Sequence, residues 1–246
     1  MRNVFAPMIG IVLAMSIGAD ARAGIVLNTT RVVYPAQDKE AVLSVLNNNS
    51  SSILLQSWLE AEGEGEVAEV LPFVVVPPLV QLPSGGRQTV RIIHSGAAMP
   101  ADRESLFWLN VQEIPQASER ENVLQIGIRQ RIKLFYRPGR LNEEVEQAPT
   151  QLRWSLPRGG VLNVVNTGPY HVTLVDIQLL SGGHRVLRRK NSMLAPGQSA
   201  DYDLQEHAQA QNAQLNFSVI NDHGALVPYR LSSGDWTQGQ AQPLGS

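Results

Sequence analysis

Residues 123–136 read Val-Leu-Gln-Ile-Gly-Ile-Arg-Gln-Arg-Ile-Lys-Leu-Phe-Tyr. Leu124, Ile126 and Ile128 alternate with Gln125, Gly127 and Arg129, and Ile132 and Leu134 keep the even register with Lys133 and Phe135 between them. A period of two is the signature of a β-strand, because successive side chains point to opposite faces. The run is longer than an ordinary strand. Its periodicity predicts one face on a core and one in water, without saying which is which.

The surrounding sequence reads the same way. Strands are expected at Ala41–Leu46, Ile53–Leu59, Phe73–Val76, Gln88–His94 and Leu106–Val111. They are separated by turn formers such as Asn47–Ser52, Pro77-Pro78 and Pro83-Ser84-Gly85-Gly86. Arg137-Pro138-Gly139-Arg140 breaks the pattern, and a polar stretch follows to Thr150. A second set is expected at Gln151–Ser155, Val161–Val165, Val172–Leu180, Arg185–Leu187, Gln198–Leu204, Gln214–Ile220 and Leu226–Leu231. No segment after residue 23 shows a helical period. This predicts an all-β chain of two immunoglobulin-like sandwiches of about 100 residues each. The expected divisions are 24–140, 141–236 and a polar tail 237–246, with the whole stretch from Ser232 expected to fray.

The first 23 residues read as an export signal. Met1-Arg2-Asn3 is a short positive start, Val4 to Gly18 is almost entirely apolar, and Ala21-Arg22-Ala23 is a small-residue cleavage pattern before Gly24. The apolar run is shorter than the ~18–20 residues of a membrane span. Removing it, with Arg2, Arg22 and Asp20, leaves 18 basic and 21 acidic residues and a net charge of −3. That balance argues against a nucleic-acid binder. With 43% hydrophobic and 17% charged residues, the 246-residue chain is globular rather than disordered. It has no cysteine, which excludes thiol catalysis, thiolate metal sites and disulfides, so its domains must rest on their cores.

Catalytic patterns are missing. The histidines His94, His171, His184, His207 and His223 have no ligand-like spacing and read as surface or turn residues. No G-x-S-x-G occurs. Gly63-Glu64-Gly65-Glu66-Val67-Ala68 matches G-x-G-x-x-A, but its glutamates would repel a phosphate, and it reads as a solvated hairpin loop. Asp102-Arg103-Glu104 reads as a structural charge cluster rather than an acid–base pair. No cofactor and no metal are expected, and binding is favoured over catalysis.

Several blocks resemble the periplasmic pilus chaperones of the chaperone–usher pathway, the PapD-like family. They are Met99-Pro100-Ala101-Asp102-Arg103-Glu104-Ser105-Leu106-Phe107-Trp108-Leu109-Asn110, Asn122–Ile126, and Ile132-Lys133-Leu134-Phe135-Tyr136-Arg137-Pro138. Val76-Pro77-Pro78 with Gln81-Leu82-Pro83 adds to them. The resemblance is thinner in the second half, carried by Asn166–Thr173 and Val219–Asp222.

The resemblance implies two immunoglobulin-like domains set at an angle around a cleft. It implies a non-enzymatic chaperone that lends a strand to incomplete pilus subunits and passes them to an outer-membrane usher. Leu124, Ile126 and Ile128 match the donated residues, and Arg31 and Lys133 the pair that anchors the subunit's C-terminal carboxylate. Glu104, Arg137 and Asp222 match an interdomain salt bridge. Pro77-Pro78 matches a proline pair that restricts access to the cleft in some members. The brief connection Ile114–Asn122 resembles the short-loop class. Lys133 has odd parity against the even donors, and a bulge near Gln130, strand twist or approach along the strand's side are the alternatives. Self-association of the free protein through the exposed strand is also expected. The competing reading is a secreted immunoglobulin-like adhesin or carbohydrate-binding module, which would place aromatics on exposed loops.

Overall fold

The computed structural model describes residues 24–62, 71–117, 122, 124–141, 145–156, 160–204, 213–231 and 241–244. The expected export signal, the loop at 63–68, Val123 and most of the expected tail lie outside the described residues, as does part of the 114–122 connection.

Nine strands build the first domain. They are β1 (Ile25–Leu27), β2 (Arg31–Pro35), β3 (Ala41–Asn47), β4 (Ile53–Ala61), β5 (Phe73–Val76), β6 (Leu79–Leu82), β7 (Arg87–His94), β8 (Ser105–Pro115) and β9 (Arg129–Arg137). They form a four-stranded sheet, β1-β3-β7-β5, facing a five-stranded sheet, β2-β9-β8-β4-β6. The alternation of β3 and β4 follows from this packing. Leu43, Val45, Ile53 and Leu55 point inward at 2% exposure or less, while their neighbours face water.

The chain changes sheets between β1 and β2. Asn28 is pinned by a 2.9 Å bond from the Ser44 N–H to its Oδ1, and Thr29 Oγ1 donates to the Arg31 carbonyl at 2.7 Å. β2 then lies parallel to β9, with Arg31 beside Lys133 and Pro35 beside Arg137. The remaining strand pairs of both domains are antiparallel among the described residues.

Two 3-10 turns, Gly139–Leu141 and Val145–Gln151, lead into the second domain. Its strands are β10 (Leu152–Ser155), β11 (Val161–Asn166), β12 (Val172–Ser181), β13 (His184–Leu194), β14 (Ser199–Asp203), β15 (Ala213–Ile220), β16 (Leu226–Leu231) and β17 (Gln242–Pro243). They give a three-stranded sheet, β10-β11-β14, against a five-stranded one, β13-β12-β15-β16-β17. Trp154, Leu162, Leu174, Leu215 and Phe217 fill the space between.

Three features depart from the sequence reading. β1, β2 and β6 add strands, because three- to five-residue segments carry too little alternation to register. β13 runs to Leu194 instead of Leu187, since it is an edge strand whose Arg188, Arg189 and Lys190 stay in water and hide the apolar period. The sequence predicts a frayed tail. Instead, Gln242–Pro243 pairs with Tyr229–Arg230, and Ala241 is completely buried.

Candidate functional site

β9 settles which face is which. Ile132, Leu134 and Tyr136 enter the first domain's core, with Leu134 fully buried. Lys133, Phe135 and Arg137 point the other way, toward the second domain: Lys133 reaches Thr173, Phe135 packs on the His171 ring and Arg137 binds Asp222. The register with β8 runs unbroken from Ser105↔Tyr136 to Gln112↔Arg129, and Glu113 N–H donates to the Ile128 carbonyl at 3.0 Å. No bulge lies at Gln130, so that explanation of Lys133's parity falls. Lys133 and the even-numbered apolar residues occupy opposite faces of one strand.

The cleft face gathers two cations. Arg31 is 7% exposed; its Nη1 donates to the Ile220 carbonyl of the second domain at 3.0 Å, and its guanidinium lies 5.9 Å from the Phe135 ring centre. Its Nε is buried without an acceptor. Burial pushes the Arg31 pKa down against the opposing fields of Asp222 and Glu104. Lys133 Nζ has one neutral hydroxyl partner, Thr173 Oγ1 at 3.3 Å, and stands over the Trp108 ring at 5.9 Å. Burial first and Arg31 second lower its pKa to about 8, with Glu62 working weakly the other way. Two adjacent, desolvated cations, one of them with a donor left unpaired among the described residues, suit an incoming anion, above all a planar carboxylate.

Behind them, Arg137 grips two acids. Its Nη2 is 2.7 Å from Glu104 Oε1, and its Nη1 is 2.6 Å from Asp222 Oδ2. Burial opposes its charge, but Asp222 and Glu104 outweigh burial and raise its pKa above the ordinary value. Glu104 also accepts the His171 backbone N–H at 2.8 Å, and its own N–H donates to the Pro169 carbonyl at 2.9 Å. The three residues named from sequence therefore meet across the domain junction.

Sequence reasoning missed His171, whose ring is 2% exposed with Nδ1 3.3 Å from Glu104 Oε2; it is not a surface or turn histidine. It also missed Thr173 and the Ile220 carbonyl, whose only visible signal was their place in the second-domain blocks that carried the resemblance.

The expected strand over 123–136 is paired only from Arg129. Gly127 and Ile128 still lie against β8 at Glu113, but Leu124–Ile128 forms no strand, and Leu124, Ile126 and Ile128 are 84%, 68% and 42% exposed. β2 reaches β9 only at Lys133, so the edge before it is uncovered among the described residues. Pro77-Pro78 lies elsewhere. It joins β5 to β6 at the opposite edge of the five-stranded sheet, with β8 and β4 between it and β9, and does not line the cleft. Among the described residues, no three His, Asp or Glu side chains converge as a metal would require.

Two family models match the chain. The N-terminal domain of PapD, a pili and flagellar-assembly chaperone, matches residues 24–142, and the C-terminal domain of the pili assembly chaperone PapD matches 147–231. The chain belongs to the PapD-like family of pilus assembly chaperones. This is a non-enzymatic family. The chaperone is 37% identical to the probable fimbrial chaperone SfmC of Escherichia coli K12, over 89% of this chain and 92% of that one. It resembles the solved periplasmic chaperone SfaE, with TM-score 0.66 and 37% identity over 84% of this chain and 98% of that one. It also resembles a chain in the solved complex of the Salmonella enterica SafA pilin with the SafB chaperone, with TM-score 0.70 and 28% identity over 85% and 95%.

Proposed function

We propose that this chaperone captures pilus subunits in the interdomain cleft. Arg31 and Lys133 anchor the subunit's C-terminal carboxylate, and Leu124, Ile126 and Ile128 fill the gap of a missing strand. The observation that carries this reading is the meeting of two desolvated cations with an uncovered strand edge and three exposed apolar side chains. A segment whose C-terminus sits at Lys133 and which covers the edge before it must run parallel to β9. Burying three aliphatic side chains contributes about 5–9 kcal/mol gross, and each charge-assisted bond to the carboxylate about 1.5–3 kcal/mol. Apolar contact thus supplies affinity, and the carboxylate sets register, since a slip of one residue turns every side chain over.

Glu104, Arg137 and Asp222 hold the interdomain angle in this reading. The chain is cut between Ala23 and Gly24, works in the periplasm, divides near residue 140, and hands its subunits to an outer-membrane usher. Free copies shield the same apolar segment by self-association. Co-expression with a cognate pilin tests the anchor. Lys133→Ala should weaken the one-to-one complex about ten- to hundredfold while melting stays near wild type. A complex that survives both Lys133→Ala and Arg31→Ala with unchanged affinity removes the anchor.

A further inference from the structure

Glu113 is a buried carboxylate without a cation. It stands on β8 opposite Leu55 and in line with Ile128, on the same inward face as Leu109 and Val111. Its exposure is 5%. Among the described residues its side chain accepts one bond, from Asn49 Nδ2 at 3.1 Å. Among the described residues, no Lys, Arg or His lies within 4.0 Å of it. Arg129, the adjacent strand cation, turns to the other face and reaches Glu60 at 3.9 Å. A buried charge without a counter-charge is strongly disfavoured.

Gly24 is packed against that carboxylate. A Cβ on Gly24 would run into both carboxylate oxygens of Glu113, so any side chain there requires the Glu113 carboxylate to swing away. The backbone is fixed in place. The Gly24 carbonyl accepts the Asn48 N–H at 2.9 Å, Ile25 pairs with Asn47, and Gln130 Nε2 donates to the Ile25 carbonyl at 2.8 Å. The Gly24 nitrogen is one bond from the Cα held against the carboxylate.

We infer that Glu113 is the receptor for the α-ammonium group created when the chain is cut before Gly24. The inference rests on the cleavage reading given above. In the uncut chain this nitrogen is a neutral amide with one N–H. Hydrolysis of the Ala23–Gly24 bond by a processing peptidase consumes one water, leaves a carboxylate on Ala23, and leaves an ammonium on Gly24. That ammonium brings a positive charge and three donors to a carboxylate to which the described residues supply only the Asn49 amide. The pair ties β1 to the end of β8, where the Glu113 N–H already holds Ile128 at the base of the exposed apolar segment. The first domain therefore closes fully only after export, and the precursor keeps a weak point at the same place.

The test compares the exported chain beginning at Gly24 with the same chain carrying Ser-Ala-Ser ahead of Gly24, each with and without Glu113→Gln. The N-terminus of the exported chain is read by mass spectrometry. The extension should lower the melting temperature by about 3–8 °C in the wild type and by less than about 1 °C in the Glu113→Gln background.

The pH profile gives a second reading. Among the described residues, Asn49, Leu55, Gly127 and Ile128 lie against Glu113, and none of them titrates. The α-amino group ordinarily titrates near 7.7–8.0, and a partner raises that value. Its contribution is complete below that range and is lost as pH rises through about 8–10. Lys133 works in the opposite sense in the same window, so the quantity to read is the difference between wild type and Glu113→Gln. Equal or additive losses from extension and Glu113→Gln, with parallel pH profiles, overturn the ion pair. A first residue other than Gly24 overturns the cleavage reading and the pair with it.

Discussion

Lys133 carries a charge that its surroundings weaken, and two opposite pH dependences follow. Burial and the neighbouring Arg31 lower its pKa to about 8 from 10.5. In the unfolded chain it returns to the ordinary value, so the folded protein bears a penalty below about pH 8 that is relieved as pH rises toward 10.5. Binding has the reverse sign. On the proposed anchor, an arriving carboxylate would restore the charge, so capture would take up a proton above about pH 8. Affinity for a subunit should be flat below about pH 7 and fall as pH rises through about 8, by up to tenfold per unit. Calorimetry across about pH 6.5–9.5 should show this for the wild type and a flat profile for Lys133→Arg; a flat wild-type profile removes Lys133 from the anchor. None of this could be read from the sequence. The resemblance names Lys133 and Arg31 as a pair, but the burial and adjacency that lower the Lys133 pKa are tertiary, since Arg31 lies far away along the chain.

At the scale of elements, β9 and the segment before it were the most legible part of the chain and also the part most changed by the structure. The period of two is realised from Arg129 to Tyr136, whereas Leu124–Ile128 forms no strand and lies exposed on both sides. What periodicity could not supply is the partner. From Ile132 to Tyr136 the even-numbered row is buried by the opposing sheet, and from Leu124 to Ile128 nothing among the described residues covers it. Substitutions along one row should therefore differ in kind. Ile126→Asp should leave the melting temperature unchanged within about 1 °C and weaken subunit capture by at least about tenfold. Leu134→Ala, at a site with no exposure, should cost about 2–5 kcal/mol in urea unfolding. Equal destabilisation by both would mean that the exposed segment is core. β13 makes the converse point. Its paired length was hidden from the sequence because Arg188, Arg189 and Lys190 need no inward partner on an edge strand.

For the whole molecule, the two sandwiches were expected from turn spacing and composition, but their junction is a tertiary fact. Glu104 and Arg137 are far apart in sequence, and their side chains are 2% and 6% exposed. Removing Glu104 leaves the buried Arg137 with one of its two acids, Asp222, and the His171 N–H without its acceptor, so Glu104→Ala should cost up to about 3–5 kcal/mol and broaden the interdomain angle seen in small-angle scattering. Asp222→Asn, at 29% side-chain exposure, should cost less. A Glu104→Ala chain with wild-type scattering and stability would deny the junction its structural role. The crossing of the chain between β1 and β2 carries a different consequence. Because β2 first meets β9 at Lys133, the nine positions from Leu124 to Ile132 have no strand on the side away from β8 among the described residues. At about 3.3 Å per residue they measure about 30 Å. The molecule is thus a ruler with a stop at one end. On the proposed anchor, a guest strand with its carboxylate against the stop would be read over about nine residues, so one chaperone would serve guests that share an ending and differ before it.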